Sequence, residues 1–384
     1  MKSKMEKRSD GREWGHLALG LSAFALALLL IKHSDLASGA VERGLMLCAR
    51  TMIPSLFPFM VIAELIVRSG VGKAVARPVA RLLKCLFGVS EAGSCALVIG
   101  ALCGFPVGAR TAAAYYRSGE LNARELTHVL CFCNVPSAAF LIGAVGNSLF
   151  GDARVGEVML ALCLGAAALV GFLFRLLLPR RIETAQDVCS PAPDDEAKGS
   201  LLSVSIASAA VGMQGVCATV LVFSALIGVL GQYADAFGLS QTAGAALFGL
   251  LELSTGVAEA SALPNAEIAA VLCAAMAGWA GLSVHCQILS VCDGCPISLV
   301  PFWLSRLLQG LVCGGGMWLA LHIGLLDVPC AMPDVSVDAW RQPGLYGNIW
   351  QAICIIGFLV ATAIGLTVKR GGERHEAKTI GRTR

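Results

Sequence analysis

The sequence predicts an all-α polytopic membrane protein of about eight spans, arranged as two inverted repeats that each carry a re-entrant helical hairpin and a broken helix. Three observations predict it. Hydrophobic residues make up 56% of the 384 and charged residues 14%, the latter about half the ~25% usual in soluble chains, and mean hydropathy is +0.73. Several apolar segments are too short to cross alone and are joined through Gly, Pro or Asn. Basic residues cluster at the flanks of the apolar segments.

Taken in order, His16–Ile31 is apolar and follows Lys2, Lys4, Lys7, Arg8 and Arg12. Lys32-His33-Ser34-Asp35 comes next instead of a small-residue cleavage site, so an uncleaved first span with a cytosolic N-terminus is expected. Gly39 to Val67 begins mixed (Glu42, Arg43, Arg50) and continues through Pro54 and Pro58, which predicts a kinked segment. Residues 73–87 alternate Lys73, Arg77, Arg81 and Lys84 with apolar residues at a period of three to four, the pattern of a basic amphipathic helix on a membrane surface.

Residues 92–117 hold two short apolar runs around Gly104-Phe105-Pro106-Val107-Gly108. A crossing helix needs about 20 apolar residues, so a re-entrant hairpin with its tip at 104–108 is expected. Residues 121–150 read as one span unwound at Asn134–Ser137, and Val155–Leu178 as an ordinary span. A polar stretch at 179–200 follows. Ser203–Leu230 is the next span. Thr242–Leu253 and Val257–Leu263 flank an expected hairpin tip at Ser254-Thr255-Gly256, and Ala266–Trp279 and Leu282–Cys292 flank a break at Ala280-Gly281. Ile297–Gly324 and Ile349–Val368 complete the spans.

The breaks recur at an offset of about 147 residues, an internal repeat. Three full spans per repeat is odd, so the second repeat is inverted relative to the first, with both termini cytoplasmic. The basic residues agree. Expected outer loops at 232–240, 262–265 and 325–347 hold only Arg341, and from 199 to 340 the single basic residue is Arg306. The expected divisions are an N-terminal tail and span (1–38), a first repeat (39–178), a cytosolic linker (179–200), a second repeat (201–325), and an outer loop, last span and basic tail (326–384).

Sixteen cysteines do not read as a disulfide framework. At least eleven lie in apolar runs, where Cys behaves as a small hydrophobe. Cys292-Asp293-Gly294-Cys295 has the CxxC spacing of redox or metal sites, but a zinc site needs four ligands, and only His285 and Cys286 are near in sequence. No metal or cofactor is expected. The chain has no phosphate-loop, dinucleotide, zinc-protease or nucleophile-elbow motif, so neither a nucleotide motor nor a hydrolase is expected. The basic clusters flank spans and form no nucleic-acid face. The expected partners are the bilayer and a small polar solute or ion, with a homo-oligomer possible in principle.

Pro54-Ser55-Leu56-Phe57-Pro58-Phe59, Gly104-Phe105-Pro106-Val107-Gly108-Ala109-Arg110, Cys133-Asn134 through Val145, Glu252-Leu253-Ser254-Thr255-Gly256 and Gly281-Leu282-Ser283-Val284-His285-Cys286-Gln287 occur in this order. Together, over about residues 40–325, they resemble the YlbJ family of sporulation integral membrane proteins. That family carries a nucleoside recognition, or Gate, domain similar to parts of concentrative nucleoside transporters and of the ferrous-iron transporter FeoB. The resemblance implies a role in endospore formation, particularly cortex assembly, and a Gate-type membrane fold.

Non-helical backbone at membrane depth is costly unless protein or water surrounds it. Four such breaks therefore point to a midplane site for a solute. Its candidate residues are Gly104, Pro106 and Gly108 at the first tip, Asn134 and Ser137 at the first unwinding, Glu252, Thr255 and Gly256 at the second tip, and Ser283, His285 and Gln287 after the second unwinding. The glycines and Pro106 shape the tip turn. Asn134 either lines the site or sits at a kink repaired by neighbouring helices. Glu252, an acid in an apolar segment, is the leading candidate, set to bind a cation or proton or to accept hydrogen bonds from a polar solute. His285 is either functional or a packed hydrogen-bonding residue. Arg110 and Glu64 are expected to reach toward cytosolic headgroups. These features predict a transporter or channel-like protein for a nucleoside-like solute or an ion. The alternative is a non-transporting scaffold for sporulation or envelope proteins. An intramembrane enzyme is the least favoured reading, because no paired catalytic constellation is visible.

Overall fold

The computed structural model describes residues 24, 27–177, 200–236 and 238–328. The expected first span falls largely outside these residues, and the 179–200 linker and the last span fall outside them but for Ser200. Every regular element among the described residues is helical. Four helices are long and apolar enough to cross a membrane: Ala153–Leu177, Leu201–Gln232, Ala266–Val291 and Leu299–His322. A bent pair makes up to five. The multi-pass membrane class expected from composition therefore stands.

Helix α1 (Ser34–Leu47) runs through a π-helical turn (Cys48–Met52) into α2 (Ile53–Arg68). The wider turn lies immediately before Pro54, which lacks an N–H to continue an ordinary ladder. Gly70 (φ 72°) separates α2 from α3 (Val71–Phe87), and Gly88 (φ 71°) ends α3. Both glycines occupy the left-handed region that other residues avoid.

Ser90 starts α4 (Glu91–Cys103) by accepting the Gly93 N–H, the usual role of an N-cap hydroxyl. After Gly104-Phe105-Pro106 the chain returns as α5 (Val107–Arg117). The two arms pack closely because Gly100 and Gly108 face each other: a Cβ on Gly108 would stand 2.8 Å from the Gly100 Cα. This is the hairpin expected at 92–117. Asn122 caps α6 (Ala123–Leu130) through the Glu125 N–H. Non-helical backbone follows to Ser137, and a π-helical segment (Ala139–Phe150) comes next. The unwinding is longer than the four residues expected.

Helix α7 (Ala153–Leu177) and α8 (Leu201–Ala236) follow. Then α9 (Gln241–Leu251), capped by Ser240, and α10 (Leu253–Ser261) form the second hairpin. A Cβ on Gly256 would stand 2.0 Å from the Gly249 Cα, so this hairpin closes on a glycine pair as the first does. Its break is at Glu252, and Ser254, Thr255 and Gly256 are already helical. That corrects the tip expected at 254–256: the Glu252 side chain starts the new helix two residues earlier. Asn265 caps α11 (Ala266–Trp279), which breaks at Ala280 before α12 (Gly281–Val291). Last is α13 (Leu299–His322). It packs along α11 on small residues. A Cβ on Gly278 would meet the Gln309 carbonyl oxygen at 2.5 Å, and one on Gly314 the Ala275 Cβ at 3.0 Å. Such contacts give helices in lipid the close approach that packing alone must reward.

Candidate functional site

A helix broken inside a protein leaves unpaired carbonyls on one side of the break and unpaired N–H groups on the other. In this chain, side chains from elsewhere meet many of them. At the first unwinding, the Arg306 guanidinium donates to the carbonyl oxygens of Asn134 at 2.7 Å and Cys131 at 2.8 Å, and the Gln309 amide donates to the same Cys131 oxygen at 2.7 Å. Ser137 accepts the Phe140 N–H at 3.2 Å. At the second unwinding, His285 Nε2 lies 2.8 Å from the Trp279 carbonyl oxygen. A carbonyl only accepts, so Nε2 carries the proton. The Trp279 indole donates in turn to the Leu250 carbonyl at 3.1 Å, at the end of α9.

Glu252 ends α9 and caps α10. Its two carboxylate oxygens accept the N–H groups of Ser254 at 3.1 Å and Thr255 at 2.7 Å. A carboxylate at a helix N-terminus is met by the positive end of the helix dipole. The sequence predicts a charge set to bind a cation or proton or to accept hydrogen bonds from a polar solute; in the structure that charge is already partnered by the start of α10.

The breaks touch each other. Phe105 N–H donates to the Val135 carbonyl at 3.0 Å. A Cβ on Gly104 would stand 2.7 Å from the Ser137 nitrogen, and one on Gly281 would stand 2.9 Å from the Leu253 nitrogen. Gly104 and Gly281 have φ of 80° and 74°, and between the second pair Ala280 is held at φ 73°. This is the one non-glycine among the described residues in that region, a cost of about 1–2 kcal/mol that surrounding packing must impose. Residues of three breaks (Phe105, Ser137, Glu252 and Ser254), with Gln287 from the helix that follows the fourth, line one cavity of about 20 Å³, room for about one water.

The eleven candidates therefore divide by what they do here. Gly104, Gly108 and Gly256 pack against backbone, and Pro106 sits at the start of α5. Ser137, Glu252 and Gln287 face the central cavity, while Thr255 contributes its N–H to Glu252. The remaining three and Gln287 share a further property. Asn134 Oδ1, Ser283 Oγ, His285 Nδ1 and Gln287 Nε2 are buried and make no hydrogen bond within the protein, and so is Arg306 Nε. Buried polar atoms are nearly always paired, so these orphans are the atoms free to meet something else.

Arg306 escaped the sequence reading as a site residue. It is completely buried, on α13, and no carboxylate among the described residues pairs with it within ion-pair distance. The available signal was its isolation: the single basic residue in 140 or so, inside an apolar segment. Arg110 and Glu64 were also read differently. Arg110 does not reach outward to headgroups. Its Nε lies 2.8 Å from Glu64, whose other oxygen holds Arg68 at 3.0 Å, and its second amine donates to the backbone and hydroxyl of Ser208 on α8. These groups line a cavity of about 670 Å³ between α2, α5 and α8. A second cavity, of about 270 Å³, shares Arg110 and Arg117 with it and extends to Pro106 and Gln287. Gln287 also lines the central cavity. The three spaces thus adjoin through shared lining residues, Arg110 and Arg117 between the two larger ones and Gln287 between the second and the central one.

Cys292 is buried with its Sγ against the Ala109 carbonyl, and Cys295 is half-buried. No group of three or more His, Cys, Asp or Glu converges among the described residues.

No family model matches the chain, and no solved structure matches it. A protein from Bacillus subtilis (strain 168), the sporulation integral membrane protein YlbJ, is 22% identical over 352 residues, covering 84% of this chain and 83% of that protein. The chain is therefore a relative of YlbJ along most of its length, as its ordered motifs indicate.

Proposed function

We propose that the protein is a transporter or channel-like protein for a small polar solute, and that it acts in endospore formation, particularly in cortex assembly. The second part follows the relative, whose name places it in sporulation. One observation carries the first part: five of the eight buried polar atoms without a protein partner among the described residues belong to the broken helices or to Arg306, which holds the first break, and one of these residues, Gln287, lines both the central cavity and its larger neighbour.

The repeat supports this reading. Two hairpins close on glycine pairs at similar offsets (Gly100 with Gly108, Gly249 with Gly256), and each is followed by a broken helix. In the proposed topology of eight spans with both termini cytoplasmic, the second repeat is inverted relative to the first, and the cavity of about 670 Å³ is a mouth that opens to the cytosol. The central space of about 20 Å³ is too small for a solute, so the tips part during transport. Helix breaks around a bistable site are a recurring basis for alternating access.

The chemistry of the site favours a solute rich in hydrogen-bond acceptors, such as carboxylate, phosphate or ring carbonyl oxygens. The starts of α5, α10, α12 and the π-helical segment meet at the central cavity, and helix N-termini attract electron-rich groups. Glu252 offsets one of them. Arg306 adds a buried cation without a carboxylate partner, and Arg68, Arg110 and Arg117 line the mouth against two carboxylates, Glu64, which pairs with Arg68 and Arg110, and Glu120. This turns the expectation from a cation toward an anion or a nucleoside-like molecule.

The test is an uptake screen in proteoliposomes with radiolabelled carboxylates, phosphate esters, nucleosides and monovalent cations. Saturable uptake of an acceptor-rich class, lost on Gln287→Leu, is the expected result. Correctly inserted protein that moves none of them would favour the scaffold alternative, and uptake confined to cations would overturn the solute class.

A further inference from the structure

Away from the breaks, α3 has three distinct faces. Arg77, Arg81 and Lys84 are exposed along one side. Ala76 and Phe87 are buried against the protein on a second. Val71, Val79, Leu82 and Leu86 are exposed on the third, opposite the basic side at the helical period. The helix turns through 103° into α4, so with α4 entering the bilayer α3 lies close to the membrane plane. Its uncovered apolar face then points into the acyl layer, and its basic side points toward headgroups.

At the C-terminal end of α3 is a pocket of about 210 Å³, lined by Phe87, Gly88, Asn122, Arg124, His128 and Arg175, together with Glu125. Three helices build it, because Arg124 and His128 come from α6 and Arg175 from α7. Glu125, its one carboxylate, is engaged: Oε1 accepts the Ser90 N–H. Arg175 is fixed by donation to the Cys85 carbonyl on α3, and His128 Nε2 lies 3.1 Å from the Gly171 carbonyl. The pocket thus presents two guanidiniums with one engaged acid, one turn from the exposed Lys84, beside an apolar face that no described residue covers.

We infer that this pocket and α3 form a docking site for an anionic phospholipid, with the phosphodiester headgroup between Arg124 and Arg175 and the acyl chains along Val79, Leu82 and Leu86. Basic pockets between spanning helices recognise such headgroups by charge and by bidentate hydrogen bonding. The adjoining apolar face selects a lipid over a free phosphate. The site is separate from the helix breaks, and its test does not need a transported solute.

Native mass spectrometry of the purified full chain in zwitterionic detergent reads it directly, with phosphatidylglycerol and phosphatidylcholine of identical acyl chains titrated in turn. Phosphatidylglycerol is retained in preference, and Arg124→Gln and Arg175→Gln each reduce that retention about fivefold. Arg175 also holds the end of α3, so its replacement can impair folding. The exposed pair Arg81→Gln/Lys84→Gln cannot be excused that way, and it lowers retention by a similar factor. Glycerol 3-phosphate at the same concentration leaves the bound lipid in place. Equal retention of the two lipids, or unchanged retention in Arg124→Gln and the exposed pair, overturns the site. Displacement by glycerol 3-phosphate overturns the lipid as its occupant.

Discussion

Arg306 and Asn134, 172 positions apart in sequence, meet through a 2.7 Å hydrogen bond from the guanidinium to the backbone carbonyl. The contact joins α13 of the second half to the unwound backbone of the first. With the Cys131 carbonyl bonded to the same guanidinium and to Gln309, it explains how non-helical backbone persists inside an apolar bundle. The carbonyls released by the break find charged and amide donors in place of water.

Replacing that donor should loosen the break. Arg306→Met leaves the Asn134 carbonyl without its donor in a buried setting, and a hydrogen bond to a charged group contributes about 1.5–3 kcal/mol. Arg306→Lys should recover only part of this, because one ammonium cannot reproduce a planar fork spanning two carbonyls. Thermal unfolding of purified protein in detergent is expected to rank wild type above Lys and Lys above Met. Equal midpoints for all three would show that the break is held by other contacts.

Glu252 should behave as a cap before it behaves as a charge. Glu252→Gln keeps one carbonyl oxygen for the starting N–H groups of α10 but loses the second acceptor and the charge–dipole attraction, a cost of about 1 kcal/mol. Glu252→Leu loses both and should reduce folded protein in the membrane fraction well below the Gln variant. Glu259→Gln, away from the break, should match wild type. A Leu variant as abundant and as heat-stable as wild type would remove the capping role.

The two hairpins depend on glycine for contact. Gly256→Ala places a methyl 2.0 Å from the Gly249 Cα and must spread the second hairpin, whereas Gly215→Ala meets nothing within 4 Å. Overpacking of this kind costs about 1–3 kcal/mol or more. Membrane abundance and thermal midpoint should fall for the first and hold for the second. If both hold, the hairpin arms have slack.

Much of this arrangement was legible in the residues. Gly104, Pro106, Asn134 and the Ala280-Gly281 pair interrupt apolar runs too short to cross alone, and the chain breaks at each of them. The break at Glu252 was placed two residues late because small residues at 254–256 looked like a turn, while an acid in an apolar run looked like a binding charge. Only the three-dimensional path shows that both its oxygens face the N–H groups ahead of it. Arg306 and the Arg110–Glu64 pair were missed for a related reason. A lone basic residue states its cost in the sequence, but the carbonyls or carboxylate that offset it lie far along the chain or on another helix. The orphaned atoms of Asn134, Ser283, His285 and Gln287 were reachable as residue types at breaks, though not as unpaired atoms.

The central claim is that the breaks meet at a hydrated solute site that opens toward the arginine-lined mouth. Cysteine accessibility tests it most directly. Gln287→Cys and Ser254→Cys should react with a small membrane-impermeant thiol reagent above the level of the parent chain. Reaction should come from the side that labels Ser208→Cys in the mouth, and Leu311→Cys, on the exposed apolar face of α13, should stay unreactive. Labelling of Ser208→Cys with neither Gln287→Cys nor Ser254→Cys above background would contradict the account, leaving the breaks as a sealed structural core.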